Sequence, residues 1–194
     1  PEPHDRDPPL AEQDDRGAVR LHHLSRDGHL RWTIPLTTPP NAGSYTQVRL
    51  AAAPDRVCIV GTLARVTQAA LASCYARLDG HAYYVNAATQ MAESMQLRVT
   101  DDGSAEVIGY RVNASSDSDS QTPRQVVHSR IDALGAVGPA RLIAEQRGGS
   151  RDRTQFGLSS HDGSVVVAYY NDALGKTSLI VRSIDGSERW SAVH

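Results

Sequence analysis

At 194 residues with 40% hydrophobic content, the chain is long enough to bury one core or a set of stacked sheets. Twenty basic residues against 22 acidic ones leave a net charge of -2, which excludes the concentrated positive footprint of a general nucleic-acid binder. No apolar run approaches the ~20 residues of a membrane helix, so no membrane span is expected.

Residues 1–16 carry Pro1, Pro3, Pro8 and Pro9 among charged residues. They read as a disordered or extended N-terminal arm with no strand pattern, and they lack the basic-then-apolar order of a signal peptide. From residue 17 a repeat sets in. Ser25-Arg-Asp27-Gly28-His-Leu-Arg31-Trp32 returns as Ser183-Ile-Asp185-Gly186-Ser-Glu-Arg189-Trp190, with weaker copies at Arg77-Leu-Asp79-Gly80 and Ser129-Arg-Ile131-Asp132. The aspartates at 27, 79, 132 and 185 are spaced by 52, 53 and 53 residues. A fixed period of this kind decides architecture before any local pattern does.

Two further elements recur with it. Thr46-Gln47, Met95-Gln96 and Thr154-Gln155 each open an alternating strand, followed by turns at Pro54-Asp55, Asp101-Asp102-Gly103 and His161-Asp162-Gly163. Val57–Gly61, Ala105–Gly109 and Ser164–Ala168 then read as second strands that end on small residues. Asp-Gly between alternating runs is a strong hairpin signal. Each unit therefore predicts four strands, A to D, and nowhere a helical period. Four-stranded units at about 50-residue spacing describe an all-β β-propeller. A β-sandwich also uses short strands, but gives no reason for the same turn to recur.

The expected organisation is a partial blade 1 at 17–40, blade 2 at 45–91, blade 3 at 93–146 and blade 4 at 152–194. Three and a half to four blades leave strands A and B of the first unit missing. Such a unit exposes an edge, which favours a partner-completed or larger propeller over a small closed ring.

The S-x-D-G-x-x-x-W hairpin resembles the Asp-box of sialidase-like and related secreted bacterial propellers, with the glycine one place early and Arg31 or Arg189 at the threonine position. The resemblance implies a structural motif away from any active site. In it Asp27, Asp79, Asp132 and Asp185 tie down turn amides beside Gly28, Gly80 and Gly186, and the aromatics Trp32 and Trp190 pack beneath the turns.

Candidate chemistry is sparse. Cys58 and Cys74 fall on strands B and C of blade 2, where they form either a cross-strand disulfide or a pair of buried small residues. The disulfide would place the chain in an oxidising, extracytoplasmic compartment. His22 and His23 alternate faces on a strand and do not chelate together. Asp117 and Asp119 lie in a long polar loop of blade 3 beside the sequon Asn113-Ala-Ser115; without the glycine and distal glutamate of a calcium loop they read as a solvated insertion or a binding-face loop. Gln47, Gln96 and Gln155 open the innermost strands, either bonding a neighbouring blade's backbone or ringing the channel. No nucleotide-binding, hydrolase or zinc motif is present, so no catalytic, cofactor or metal residue is assigned. The expected function is a non-enzymatic scaffold or accessory subunit that binds a protein partner, a second copy or a glycan. The alternative is a carbohydrate-active or small-ligand propeller with its site at the channel mouth.

Overall fold

In a computed structural model the described residues are 9–14, 18–91, 93–111, 125–145, 153–159, 162–171, 176–183, 185 and 187–193. Among them are four antiparallel sheets and no helix. The first has three strands, β1 (Pro9–Gln13), β2 (Val19–Leu24) and β3 (Leu30–Pro35). The second holds β4 (Tyr45–Ala52), β5 (Arg56–Leu63), β6 (Val66–Ala76) and β7 (Ala82–Thr89). The third holds β8 (Glu93–Val99), β9 (Ala105–Arg111), β10 (Gln125–Ile131) and β11 (Arg141–Glu145). The fourth holds β12 (Arg153–Leu158), β13 (Val165–Asn171), β14 (Lys176–Arg182) and β15 (Glu188–Val193). In every sheet spatial order equals chain order. The result is a propeller-like series of meanders.

The hairpins follow from turn chemistry. Gly28 N–H donates to the Ser25 carbonyl and Ser25 N–H to the His29 carbonyl; Gly103 and Gly135 repeat the pattern with Thr100 and Asp132. This is a type I turn closed by a left-handed residue, with φ of 85°, 79° and 94° at the three glycines. Aspartate carboxylates tie the loops further: Asp79, Asp102, Asp162 and Asp185 each accept the N–H two residues on.

Alternation then builds the core in layers. Three apolar clusters lie between successive sheets. The first joins Val19 and Leu21 to Val57, Ile59 and Tyr75; the second joins Cys58, Val60 and Tyr84 to Met95, Val107 and Ile131; the third joins Ile108, Tyr110 and Val126 to Val165 and Val167. β5 is buried along all eight residues because it faces a neighbour on both sides. Cys58 and Cys74 pair directly in the β5–β6 register and form a disulfide with a Cα–Cα distance of 4.1 Å.

Three expectations need correction. Pro9–Gln13 lies in the segment expected as an arm without strand pattern, yet forms β1 by antiparallel pairing with β2. Its weak local pattern is overridden by tertiary pairing. By the turn motif β2 and β3 are strands C and D, so β1 is strand B, and among the described residues the first sheet lacks only the innermost strand.

Asp132 is not the counterpart of Asp27 and Asp185. It occupies the first turn position, as Ser25 does, and its Oδ1 accepts from Leu134 and Ala136 N–H at 2.9 and 2.8 Å. Gly135 is the true equivalent of Gly28. Trp32, finally, does not lie under its own turn. Trp32 sits on Gly80 of the next sheet and donates its Nε1–H to the Arg77 carbonyl at 2.9 Å, while a Cβ on Gly80 would lie 3.2 Å from its ring. Tyr84 sits in the same way on Gly135. Gly186 lies outside the described residues.

Two outcomes follow. Gly135→Ala adds a Cβ 2.6 Å from Tyr84 Cβ at a left-handed φ, so urea unfolding should show a loss of about 3 kcal/mol. Gly28→Ala meets open space and should lose only about 1 kcal/mol, the backbone cost alone. Replacing Cys58 and Cys74 together by Ser should remove about 3 kcal/mol, since the bond closes a loop of sequence separation 16. Unfolding of the native chain with and without reductant should give the same difference.

Candidate functional site

Each sheet meets the next through an outgoing face, and three devices fasten these joints, the first of them at two joints. The D-strand aromatic seats on the next turn glycine, as above. At the other hairpin, Arg56 reaches from the second sheet to the third, where Nη1 donates to the Gly103 carbonyl at 2.8 Å, the plane lies against Gly103, and the guanidinium stacks 4.2 Å from the Tyr83 ring centroid. At the innermost strands, Gln96 donates to the Phe156 carbonyl at 2.9 Å and accepts the Leu158 N–H at 2.6 Å. Its amide fills two backbone positions of β12, which is a fastening role. Gln47 and Gln155 lie at exposed positions of β4 and β12. Asp117, Asp119 and the sequon fall outside the described residues.

The joint between the third and fourth sheets breaks this pattern. The aromatic stands four residues after the turn glycine: Trp32 after Gly28, Tyr84 after Gly80. In the third sheet that place holds Pro139, which is exposed. Counting back from the glycines, Arg130 and His128 stand where the first sheet has His23 and Leu21. In consequence a cleft of about 420 Å³ opens on the outgoing face of the third sheet, lined by Glu106, His128, Arg130, Asp132, Pro139 and Arg141 among other residues of that sheet and its hairpin.

Cross-strand register assembles the polar side chains there. Glu106 pairs with Arg98 on one side and Arg130 on the other, and His128 pairs with Ile108 and Arg141. Arg98 Nη1 lies 3.3 Å from Glu106 Oε2, although that oxygen is in hydrogen-bond geometry with no group. Arg130 is held by Asp102 and by Ser104 Oγ. His128 is 5% exposed, and neither ring nitrogen has a hydrogen-bond partner. Arg141 is exposed and makes no hydrogen bond or ion pair among the described residues, though its charge helps to hold the Asp185 carboxyl of the fourth sheet's hairpin down.

The electrostatics follow the burial. Desolvation pushes His128 down to about 4, with Arg141 and Arg130 adding repulsion, so the ring is neutral at pH 7. Burial raises Glu106 against the pull of Arg98 and Arg130. The Thr100 hydroxyl, then the Ser104 amide, hold Asp102 down at about 2. Among the described residues, no three His, Cys, Asp or Glu side chains group as metal ligands, and no helix is long and apolar enough to cross a membrane.

No family model matches this chain, and no curated protein matches its sequence. Solved structures overlap it in part. Cobalt-substituted apocarotenoid oxygenase of Synechocystis is 12% identical over 95% of this chain, with a TM-score of 0.45. Puromycin hydrolase is 15% identical over 94% of it, with a TM-score of 0.48. The chain spans 57% of the oxygenase and 30% of the hydrolase. Overlaps of this size assign neither family nor activity.

The cleft has no signature along the sequence, because it is a row across strands and not a motif within one. It gives a pH test. The unfolded chain protonates His128 near 6.5 and the folded chain near 4, so between these values the unfolded state binds the extra proton. Stability should therefore fall as pH drops from 6.5 to 4, by about 3 kcal/mol from this ring. In His128→Gln that part of the slope should be missing when urea unfolding is compared at pH 7 and pH 4.

Proposed function

We propose that this chain is a non-enzymatic, propeller-like binding module that docks a protein partner on the outgoing face of its fourth sheet. One observation carries this reading. Val166, Val181 and Trp190 form a cross-strand row that corresponds to the row Cys58, Cys74 and Tyr84 of the second sheet. The second-sheet row is buried beneath the third sheet, whereas Trp190 is 52% and Val166 41% exposed. An apolar inter-sheet face left uncovered is an interaction surface.

The opposite end differs in chemistry. On the other face of the first sheet, His22 bonds Thr33 Oγ1 at 2.9 Å and Glu12 Oε2 at 3.0 Å, beside Arg20. That polar face is a poor mate for Trp190, which argues against head-to-tail joining of identical chains. The fitting partner brings an apolar sheet face with a left-handed glycine turn, as a further blade does. The inner edge of β1, where the other sheets carry a fourth strand, offers a second attachment by strand addition. On this reading the chain is part of a partner-completed or larger propeller with Asp-box-like hairpins. The disulfide supports an extracytoplasmic setting.

Without its partner the open face should associate with itself. Light scattering after size exclusion should give masses above 21.0 kDa that rise with concentration. Trp190→Ser should return the monomer with an unchanged melting temperature. A wild-type chain that stays monomeric at every concentration and binds no apolar dye would remove the docking face. The cleft at His128 favours a second reading, small-ligand binding.

A further inference from the structure

We propose that the cleft at the joint of the third and fourth sheets is a binding site for a small hydroxylated carboxylate. Such binding is independent of docking by a protein partner. The other joints seat an aromatic in the same space, over residues that are apolar except for the buried His23. Between the first two sheets it holds Trp32 with Leu21 and His23 behind it, and between the second and third it holds Tyr84 over Cys58 and Cys74. At the third joint the aromatic is replaced by Pro139 and the apolar row by Glu106, His128 and Arg130. The chain has given up packing there and placed polar groups in its stead, while keeping the apolar cluster of Ile108, Tyr110, Val165 and Val167 beside it.

Arg130 is held by Asp102 and Ser104 and Glu106 lies against Arg98, but His128 is not consumed by the fold. A buried imidazole with both nitrogens unbonded leaves one donor and one acceptor unmet, a cost that native interiors rarely carry. Burial, with Arg141 and Arg130 beside the ring, disfavours relief by charging. A ligand hydroxyl, which donates and accepts, satisfies such a ring, and Glu106 Oε2 accepts from a neighbouring hydroxyl. At the mouth the exposed Arg141 guanidinium, opposite His128 in the register, is placed to hold a carboxylate by paired N–H donors. The chemistry therefore calls for an anionic head and a hydroxyl-bearing body. The volume, about 420 Å³, lies at the small end of ligand pockets, about 300–1,000 Å³.

The test uses the whole chain and three probes followed by NMR of the His128 ring: gluconate, sorbitol, which lacks the carboxylate, and hexanoate, which lacks the hydroxyls. Gluconate should shift the His128 signals in a saturable way, with affinity at least about tenfold above either control. Arg141→Ala, an exposed position remote from the core, should weaken gluconate about tenfold or more while the spectrum of the fold is kept. His128→Gln, followed by titration calorimetry because the ring signal is gone, should weaken it through the hydroxyl contacts and leave sorbitol and hexanoate alike. Equal binding of hexanoate and gluconate, gluconate binding untouched by Arg141→Ala, or no saturable shift at any concentration would each overturn the assignment. Since Trp190 is not in the cleft, Trp190→Ser should bind gluconate as the native chain does. Failure of the docking reading and failure of this one are thus separable.

Discussion

The structure depends on a single repeated contact, an outer-strand aromatic laid on a left-handed glycine of the next sheet. Each sheet here has at least one apolar face that it cannot bury alone, so a neighbour must cover it. The turn glycine is what lets the neighbour come close. At Gly80 and Gly135 the absent Cβ is the space that Trp32 and Tyr84 occupy, and a left-handed φ makes glycine the low-cost residue for the turn itself. One residue thus serves the hairpin within a sheet and the seat between sheets.

Around that contact the polar groups act as fasteners. Gln96 spans the innermost strands by completing backbone bonds of β12, and Arg56 spans the hairpin end by bonding the Gly103 carbonyl. Neither is a surface ion pair of small worth, since each satisfies backbone groups that would otherwise lack partners. The disulfide lies in the row that Tyr84 caps, so the covalent link and the aromatic seat brace the same layer. Stability is accordingly greatest in the middle of the series, where β5 is buried on both faces, and falls toward the ends.

Much of this architecture is legible along the chain. The recurring Asp-Gly turns and the short alternating strands point to four sheets in meander order, because turn chemistry and period-2 burial are local properties. What escapes such a reading is non-local. β1 has proline and charge in its neighbourhood and becomes a strand through pairing with β2. Spacing alone aligns Asp132 with Asp27, although the hydrogen bonds put it three positions before the glycine and not one. The destination of Trp32 is equally hidden, since nothing along the chain says whether an aromatic packs beneath its own turn or beyond it. For Gln96 the sequence leaves two roles open, and the amide's actual partners lie 60 and 62 residues away.

The three joints can be ranked by what they give up. The first two are closed by aromatics, Trp32 over Leu21 and His23 and Tyr84 over the Cys58–Cys74 disulfide; the third trades its aromatic for Pro139 and admits Glu106, His128 and Arg130. Such a trade lowers stability locally, because unbonded polar atoms are buried where an apolar row would gain energy. Strain of this sort persists where the site is used. The fourth sheet repeats the opposite choice: Val166, Val181 and Trp190 restore the apolar row of the second sheet, on a face that no described residue covers. One joint is built polar and left open, and one face is built apolar and left bare. These are the two places where the repeat departs from self-sufficiency, and on them the two proposals rest.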